Sequence, residues 1–94
     1  MLYSGTKTVT TAGYPERLVD APAGLLKMDI TALSGNTGIV YVGDTNVSST
    51  RGQELAVTSS RPDVITLSDD PFNVWLDVSV NGEGVKWQAY DDAE

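Results

Sequence analysis

Short runs in which apolar and polar residues alternate make up most of this chain, and clusters of Gly, Asn, Asp, Ser and Pro separate them. The clearest run is 25–33, where Leu, Met, Ile and Ala fill alternate positions and Lys, Asp and Thr lie between them. A period of two is that of a β-strand with one buried face and one wetter face. No stretch of the length of a helix shows a sustained helical period with caps, so the pattern predicts strands throughout.

Further strands are predicted from the same signals. The run 39–43 is apolar on both faces, so we expect another element or another chain to cover its outer face. The segment 44–52 is polar and turn-prone, with only Val47 to hold it, and is the longest exposed loop that the pattern indicates. The remaining predicted strands are 6–11, 53–57 at a sheet edge, and 63–67 with Ile65 and Leu67 inward, while 14–19 is a short strand or an irregular crossing.

The last third of the chain carries the strongest local signal. Two alternating runs, 74–80 and 85–90, flank Asn81 and Gly82. An Asn-Gly pair between two alternating runs is typical of a tight β-hairpin, because both residues readily adopt the positive φ angles that such a turn requires. We therefore expect the two runs to pair with each other as neighbouring strands.

Together these signals predict an all-β protein, namely a single antiparallel β-sandwich, jelly-roll or immunoglobulin-like, of about seven or eight short strands. Turn signals recur about every ten residues, which is the spacing that such sandwiches show. A chain of 94 residues has the size of one domain. We expect that domain to span 1–94, with flexible ends at 1–5 and 91–94.

The composition of the chain excludes more classes of function than any sequence motif does. The chain has no histidine and no cysteine, so it lacks the commonest general base, the commonest transition-metal ligand and all thiol chemistry. Its net charge is −7 and its six basic residues are scattered, which disfavours binding to a phosphate backbone. No apolar run approaches the ~20 residues of a membrane-spanning helix. We expect no enzyme activity, no nucleic-acid partner and no membrane partner.

Carboxylates are the type of candidate site that this composition leaves. Asp77 and Glu83 flank the predicted hairpin and could form a glycosidase-like pair, but so small a sandwich leaves little room for a cleft of ~300 Å³ or more. Asp44 and the adjacent pairs at 69–70 and 91–92 offer the oxygen ligands that calcium prefers, yet the spacing of a calcium-binding loop is absent. We therefore predict no metal and no cofactor.

Aromatic residues offer candidates for a protein interface. Trp75 lies on the face opposite the apolar positions of its strand, so it either packs under a crossing loop or anchors a neighbouring subunit. Tyr41 has the same ambiguity, because its strand is apolar on both faces. Trp87 shares a face with Val85 and Ala89, which favours simple packing in the core.

Three segments, taken in their order along the chain, form a sequence pattern. They are KTVTTAG at 7–13 with Glu-Arg-Leu at 16–18, ITALSGNTGIVYVG at 30–43, and VSS at 47–49 followed by Gly52 and Leu55. The pattern resembles small virion proteins of bacteriophages, which are short β-sandwich proteins encoded among phage structural genes. The resemblance covers about residues 6–67 and departs at 58–62, where Thr-Ser-Ser-Arg-Pro replaces a Gly-Glu-Ser turn. It brings no catalytic residues with it.

The resemblance implies a non-enzymatic structural protein of a phage particle. Our leading hypothesis is a capsid decoration (cement) protein: a homo-oligomer, preferably a trimer, made in the bacterial cytoplasm and bound to the major capsid protein or other virion subunits on the outer surface of the head. The alternative is a receptor- or glycan-binding module of a tail fibre or spike. The residues that we predict at protein interfaces are Met1, Leu2, Tyr3, Tyr41, Asp44, Asn46, Val47, Arg51 and Trp75.

Overall fold

The computed structural model describes residues 2–58 and 61–90, and most of these residues lie in strands. The strands of this part of the chain are β1 (Leu2–Thr8), β2 (Glu16–Arg17), β3 (Leu26–Ala32), β4 (Val40–Gly43), β5 (Gln53–Leu55), β6 (Val57–Thr58), β7 (Arg61–Pro62), β8 (Val64–Asp69), β9 (Trp75–Val78) and β10 (Gly84–Tyr90). A 3-10 turn spans Pro71–Asn73. Among the described residues, no helix has the length and apolar character needed to cross a membrane.

Eight of the strands form two four-stranded antiparallel sheets, whose buried faces share one core. Sheet A has the order β1-β10-β3-β8, and sheet B has the order β2-β9-β4-β5. The other two strands, β6 and β7, pair with each other as a short ribbon on the way from β5 to β8. The prediction of an all-β antiparallel sandwich is confirmed.

The strand order shows which kind of sandwich this is. Strands that follow one another in the chain occupy matching positions in the two sheets: β1 with β2, β10 with β9, β3 with β4, and β8 with β5. Two Greek keys interlocked in this way form a jelly roll. The sequence is compatible with either a jelly roll or an immunoglobulin-like sandwich, and the observed strand order is that of a jelly roll.

The core lies between the sheets and consists of the apolar positions of the alternating strands. The inward positions of β3 are all buried: Leu26, Met28, Ile30 and Ala32. Sheet B faces them with Val40, Leu76 and Val78, none of which is more than 2% exposed. Burying one such side chain stabilises the fold by about 1.5–3 kcal/mol. The alternation in the sequence therefore fixes which face of each sheet turns inward.

The predicted hairpin over 74–90 has the right turn but the wrong pairing. Gly82 has a φ of 82°, as a tight turn allows. However, β9 belongs to sheet B and β10 to sheet A, so the chain crosses from one sheet to the other at this turn. Strand β10 has β1 on one side and β3 on the other, and no side remains for β9.

The N-terminal end differs from the prediction of a flexible segment at 1–5. Residues 2–5 belong to β1, which pairs with β10 along its whole length, from Leu2 opposite Tyr90 to Thr8 opposite Gly84. The strand also ends earlier than the predicted run 6–11. Met1 and the predicted flexible end at 91–94 lie outside the described residues.

Candidate interaction surface

The outer face of sheet A is a shallow, polar surface. Its strands present their outward positions side by side, and these positions line a depression of about 760 Å³. Most of the lining side chains are hydroxyl, amide or charged groups: Ser4, Thr6, Asp29, Thr31, Thr66, Lys86 and Gln88. Asp29 is the one carboxylate among the lining residues, so the depression does not hold the pair of carboxylates that glycoside hydrolysis uses.

Neighbouring strands hold Asp29 in place within this depression. The Thr66 hydroxyl donates to Asp29 Oδ1 (2.8 Å), and the Tyr90 hydroxyl donates to Asp29 Oδ2 (3.4 Å). Gln88 and Lys86 lie exposed beside it on β10. The surface therefore offers fixed acceptors and free donors, which suits a partner rich in hydroxyl or main-chain groups.

Strand β1 is an edge of sheet A, and one side of it carries no strand among the described residues. The Val9 N–H donates to Glu83 O (3.0 Å), which sets the hydrogen-bonding phase of this ladder. Because bonded and non-bonded pairs alternate in an antiparallel ladder, Tyr3, Gly5 and Lys7 bond to β10. It follows that the main-chain groups of the other four residues of β1 point away from the sheet: Leu2, Ser4, Thr6 and Thr8.

Strand β8 is the opposite edge of sheet A. The same reasoning shows which of its residues bond to β3 and which point their main-chain groups away from the sheet. The Ala32 N–H donates to Asp63 O (3.0 Å), so Ile65 and Leu67 bond to β3. The main-chain groups that point away from the sheet on this side belong to Val64, Thr66 and Ser68. The β1 edge therefore offers the donors and acceptors of four residues, and the β8 edge offers those of three.

Within residues 2–58 and 61–90, neither edge of sheet A carries the usual protection against pairing with another strand. Proteins protect such edges with proline, charged side chains, bulges or very short strands. The seven residues whose main chain points outward are uncharged, and none of them is proline. Lys7 is the one charged residue of β1, and its ammonium group is held by Glu16 Oε1 (2.8 Å). Sheet B differs, because its edge strands β2 and β5 have only two and three residues.

An apolar slot of about 250 Å³ opens beside the β8 edge, between the two sheets. Its apolar lining includes Val42 and Val74 from one side and Ile65 and Leu67 of β8 from the other. Ile65 and Leu67 point inward, as the sequence predicts, but they are only half-buried. The core is thus less completely covered at this edge.

The loop 44–52 is exposed, as predicted, and has a defined shape. Asp44 Oδ1 accepts from Asn46 N (2.9 Å), and Val47 N donates to Asp44 O (3.0 Å). Val47 is 2% exposed, which confirms that this side chain holds the loop to the body of the protein. Gly52 ends the loop with a φ of 117°. A rigid loop presents its exposed side chains in a fixed arrangement.

Trp75 packs within its own chain. Arg17 of β2 lies opposite it, and the guanidinium carbon sits 4.7 Å from the Trp75 ring centroid and 3.8 Å from that of Phe72. A cation against an aromatic face contributes about 0.5–1 kcal/mol at exposed sites and about 2 kcal/mol when desolvated. The Trp75 ring thus packs against Arg17 of the crossing segment 14–19 and is half-buried, and its role at a protein interface stays a prediction.

Tyr41 is likewise covered by the chain itself and is 7% exposed. Its cross-strand neighbour Asp77 is also buried, and Asp77 Oδ1 accepts from Gly13 N (2.8 Å). That bond brings the loop after β1 over the outer face of sheet B. The cover that the sequence requires for the 39–43 run is thus supplied at Tyr41 by another element of this chain.

The residues predicted at interfaces therefore fall into two groups. Tyr3, Asp44, Asn46 and Arg51 are exposed and lie at the β1 edge or in the 44–52 loop. Tyr41 and Val47 are buried and offer little side-chain surface to a partner, and Trp75 is half-buried. Leu2 begins β1, and Met1 lies outside the described residues. Sequence reasoning missed the β8 edge, whose only signal is a run without proline and with a single charge, Asp69.

Both carboxylates of the suggested catalytic pair are occupied by main-chain donors. Asp77 holds Gly13, as described above. Glu83 accepts from Thr37 N (2.7 Å) and Gly38 N (2.9 Å). Burial tends to raise the pKa of Glu83, but these hydrogen bonds outweigh it, and the net pKa lies below its ordinary value. The pair serves to hold loops in place.

Two further carboxylates act in the same way at other loops. The hydrogen bond from the Lys7 ammonium, with that from Thr10 N, lowers the pKa of Glu16. Asp70 accepts from Ala23 N (3.0 Å) and Phe72 N (3.0 Å), which lowers its pKa. In the ranges 2–58 and 61–90, no three acidic side chains come together in a way that could hold a metal ion.

These features define a small jelly-roll domain with two open edges on one sheet. Comparison with protein-family models, curated proteins and solved structures finds no match to this chain. Its function is therefore inferred from the fold, from the two edges of sheet A, and from the exposed loop 44–52.

Proposed function

We propose that this protein is a non-enzymatic structural component of a bacteriophage particle, a decoration protein on the outer surface of the head. It is made in the bacterial cytoplasm and binds the major capsid protein or other virion subunits, including copies of itself. It acts by surface contact, and we assign it no cofactor, no nucleic-acid partner and no membrane partner.

The free edge of β1 is the observation that carries this proposal. An added strand gains affinity from main-chain hydrogen bonds, and an edge of seven residues without proline can accept one along much of its length. Such an edge is a liability in a protein that works alone. Its presence favours a protein whose β1 edge is covered in the assembled state. The resemblance of 6–67 to phage virion proteins supports the same assignment.

Replacing Thr6 by proline tests the role of this edge. Thr6→Pro removes an N–H that points away from the sheet, so the bonds between β1 and β10 remain. We expect binding to heads that lack the protein to weaken by about tenfold or more, since a lost main-chain hydrogen bond and the added ring together cost ~1.4 kcal/mol or more. Co-sedimentation at increasing concentrations measures the effect.

Thr6→Ala is the matched control, because it shortens the same side chain and keeps the N–H. We expect Thr6→Ala to lose far less affinity than Thr6→Pro, and both variants to retain the circular dichroism spectrum of the folded protein. Unchanged binding of Thr6→Pro to the heads, or no binding of the wild-type protein to any virion subunit, would contradict the proposal.

The depression on sheet A favours a second candidate, a glycan-binding module of a tail fibre or spike. Oriented carboxylate, hydroxyl and amide groups bind sugar hydroxyls well, and Asp29, Thr31 and Gln88 lie within this one depression. A glycan array followed by calorimetric titration tests it. We expect saturable binding that Gln88→Ala removes and Gln53→Ala, on exposed β5, retains; an array without saturable hits would rule this candidate out.

A further inference from the structure

We propose that the partner of β1 is the β8 edge of a second copy of this chain, so that copies join head to tail through sheet A. This deepens the proposed function and rests on it only in treating β1 as a binding edge. The two edges belong to the same sheet, and both lack protection. The steps below concern strand direction, register and side-chain fit.

Strand direction permits this contact. All neighbours in sheet A are antiparallel, so in a sheet of four strands the first, β1, and the last, β8, run in opposite directions. When a second copy is placed beside the first in the same orientation, its β1 therefore runs antiparallel to β8. The contact continues the antiparallel order of the sheet without reversing either molecule.

The outward-pointing groups limit the register. The outward main-chain groups of β1, those of residues 2, 4, 6 and 8, must face the outward groups of β8, those of residues 64, 66 and 68. One register sets Thr6 opposite Val64, which also brings Tyr3 beside Leu67 and Lys7 beside Asp63. A shift by two residues in either direction sets Lys7 beside apolar Ile65 or basic Arg61. The shift that brings Lys7 beside Ile65 moves Tyr3 to Asp69, away from the apolar slot. The other shift sets Thr6 opposite Pro62, which has no N–H to donate. The first register is therefore favoured.

Side chains fit this register on both faces of the sheet. Tyr3 is 38% exposed, and it faces the inner side because it pairs with buried Ala89. Beside Leu67, its ring meets the apolar slot of about 250 Å³ and covers the half-buried core there. On the outer side Val64, which is 57% exposed, lies against Thr6, and β-branched cross-strand pairs of this kind stabilise sheets.

A head-to-tail contact uses two different surfaces, so it either closes into a ring or continues as a filament. A ring of three copies is the state that the sequence-based hypothesis favours. In such a ring every β1 and every β8 is covered. Two exposed residues of the 44–52 loop, Asn46 and Arg51, belong neither to these strands nor to the lining of the slot, and they stay available for the capsid protein.

Cysteine cross-linking tests this contact, because the chain has no cysteine of its own. Thr6→Cys and Val64→Cys are made as separate proteins, mixed in equal amounts and oxidised. Opposite residues in such a ladder have Cα atoms about 5.5 Å apart, which a disulfide spans. We expect a covalent dimer containing one copy of each protein, identified by its mass.

Two controls make the result specific. Thr6→Cys mixed with Val80→Cys pairs β1 with another exposed valine, 39% exposed and outside β8, and we expect only background dimer. Each single variant oxidised alone should also give no covalent dimer. Dimers of Thr6→Cys alone would overturn the proposal by showing β1 paired with β1, and no specific dimer in any mixture would overturn it as well. If cross-links are absent but Thr6→Pro still abolishes binding to heads, the proposed function stands and β1 binds another subunit.

Discussion

Gly52 lies at a position where a side chain is excluded by its surroundings. Its φ is 117°, and a Cβ atom there would lie 2.6 Å from Val42 O, a main-chain atom that cannot move aside cheaply. We expect Gly52→Ala to lower the free energy of unfolding by about 1–3 kcal/mol, the usual cost of such backbone strain. Urea denaturation measures it. Gly35→Ala is the control, since no atom lies within 4 Å of a Cβ there; equal stability of the two variants would contradict this account of the loop.

Glu83 links stability to pH. Its pKa is lower in the folded state than its ordinary value of 4.5, so the stability that it contributes is present above about pH 4.5 and is lost as the pH falls through the folded-state pKa. We expect Glu83→Gln to be about 1–2 kcal/mol less stable than the wild type at pH 7, because the amide cannot replace all the charge-assisted hydrogen bonds. The difference should shrink by pH 3.

Urea titrations at both pH values check this prediction. Glu54→Gln, an exposed carboxylate of β5, is the matched control and should change stability little at either pH. A difference between Glu83→Gln and the wild type that is the same at pH 7 and pH 3 would show that the Glu83 charge contributes nothing.

At the scale of elements, the sequence predicts well which face of a strand is buried, but it predicts poorly which strands pair with each other. Strands β3, β4 and β5 are found where the pattern places them, because a period of two directly reflects which side chains are buried. The partner of a strand depends on contacts far away in the chain. Thus the pattern at 74–90 correctly gives two strands and a turn, yet β10 pairs with β1 and β3.

The candidate site was predictable only in part, for the same reason. The exposure of Tyr3 and of the 44–52 loop follows from local composition. That Tyr41 and Trp75 are covered depends on Arg17 and on the loop at Gly13, which meet sheet B only in the folded chain. The open edges could not be recognised either, since a run of Ser and Thr residues does not reveal whether it lies at the edge of a sheet.

Proton contacts measured by NMR test the strand order directly. In the described topology Ser4 and Gln88, like Thr6 and Lys86, form non-hydrogen-bonded pairs, in which the Hα atoms are in close contact. We expect strong Hα–Hα cross-peaks for both pairs. A backbone ladder between β9 and β10, with Val78 opposite Val85, would show instead the hairpin that the sequence pattern predicts.

At the scale of the whole molecule, the two sheets play different roles. Sheet B has short edge strands, and the loop after β1 and the Arg17 stack cover parts of its outer face. Sheet A has longer strands, a polar outer face and two edges whose main-chain groups face away from the domain. A domain of this size buries only about 60–65% of its chain surface by itself. Pairing through sheet A would add buried area where the core is least covered, beside Leu67.

Amide hydrogen exchange tests the central claim, that the β1 edge is the binding surface. In a sample dilute enough to be monomeric, the amides of Ser4, Thr6 and Thr8 should exchange rapidly and those of Gly5 and Lys7 slowly, because only the latter two bond to β10. In the assembled oligomer or on the phage head, the amides of Ser4 and Thr6 should become protected as well. Continued rapid exchange of Ser4 and Thr6 in a fully formed assembly would contradict the claim.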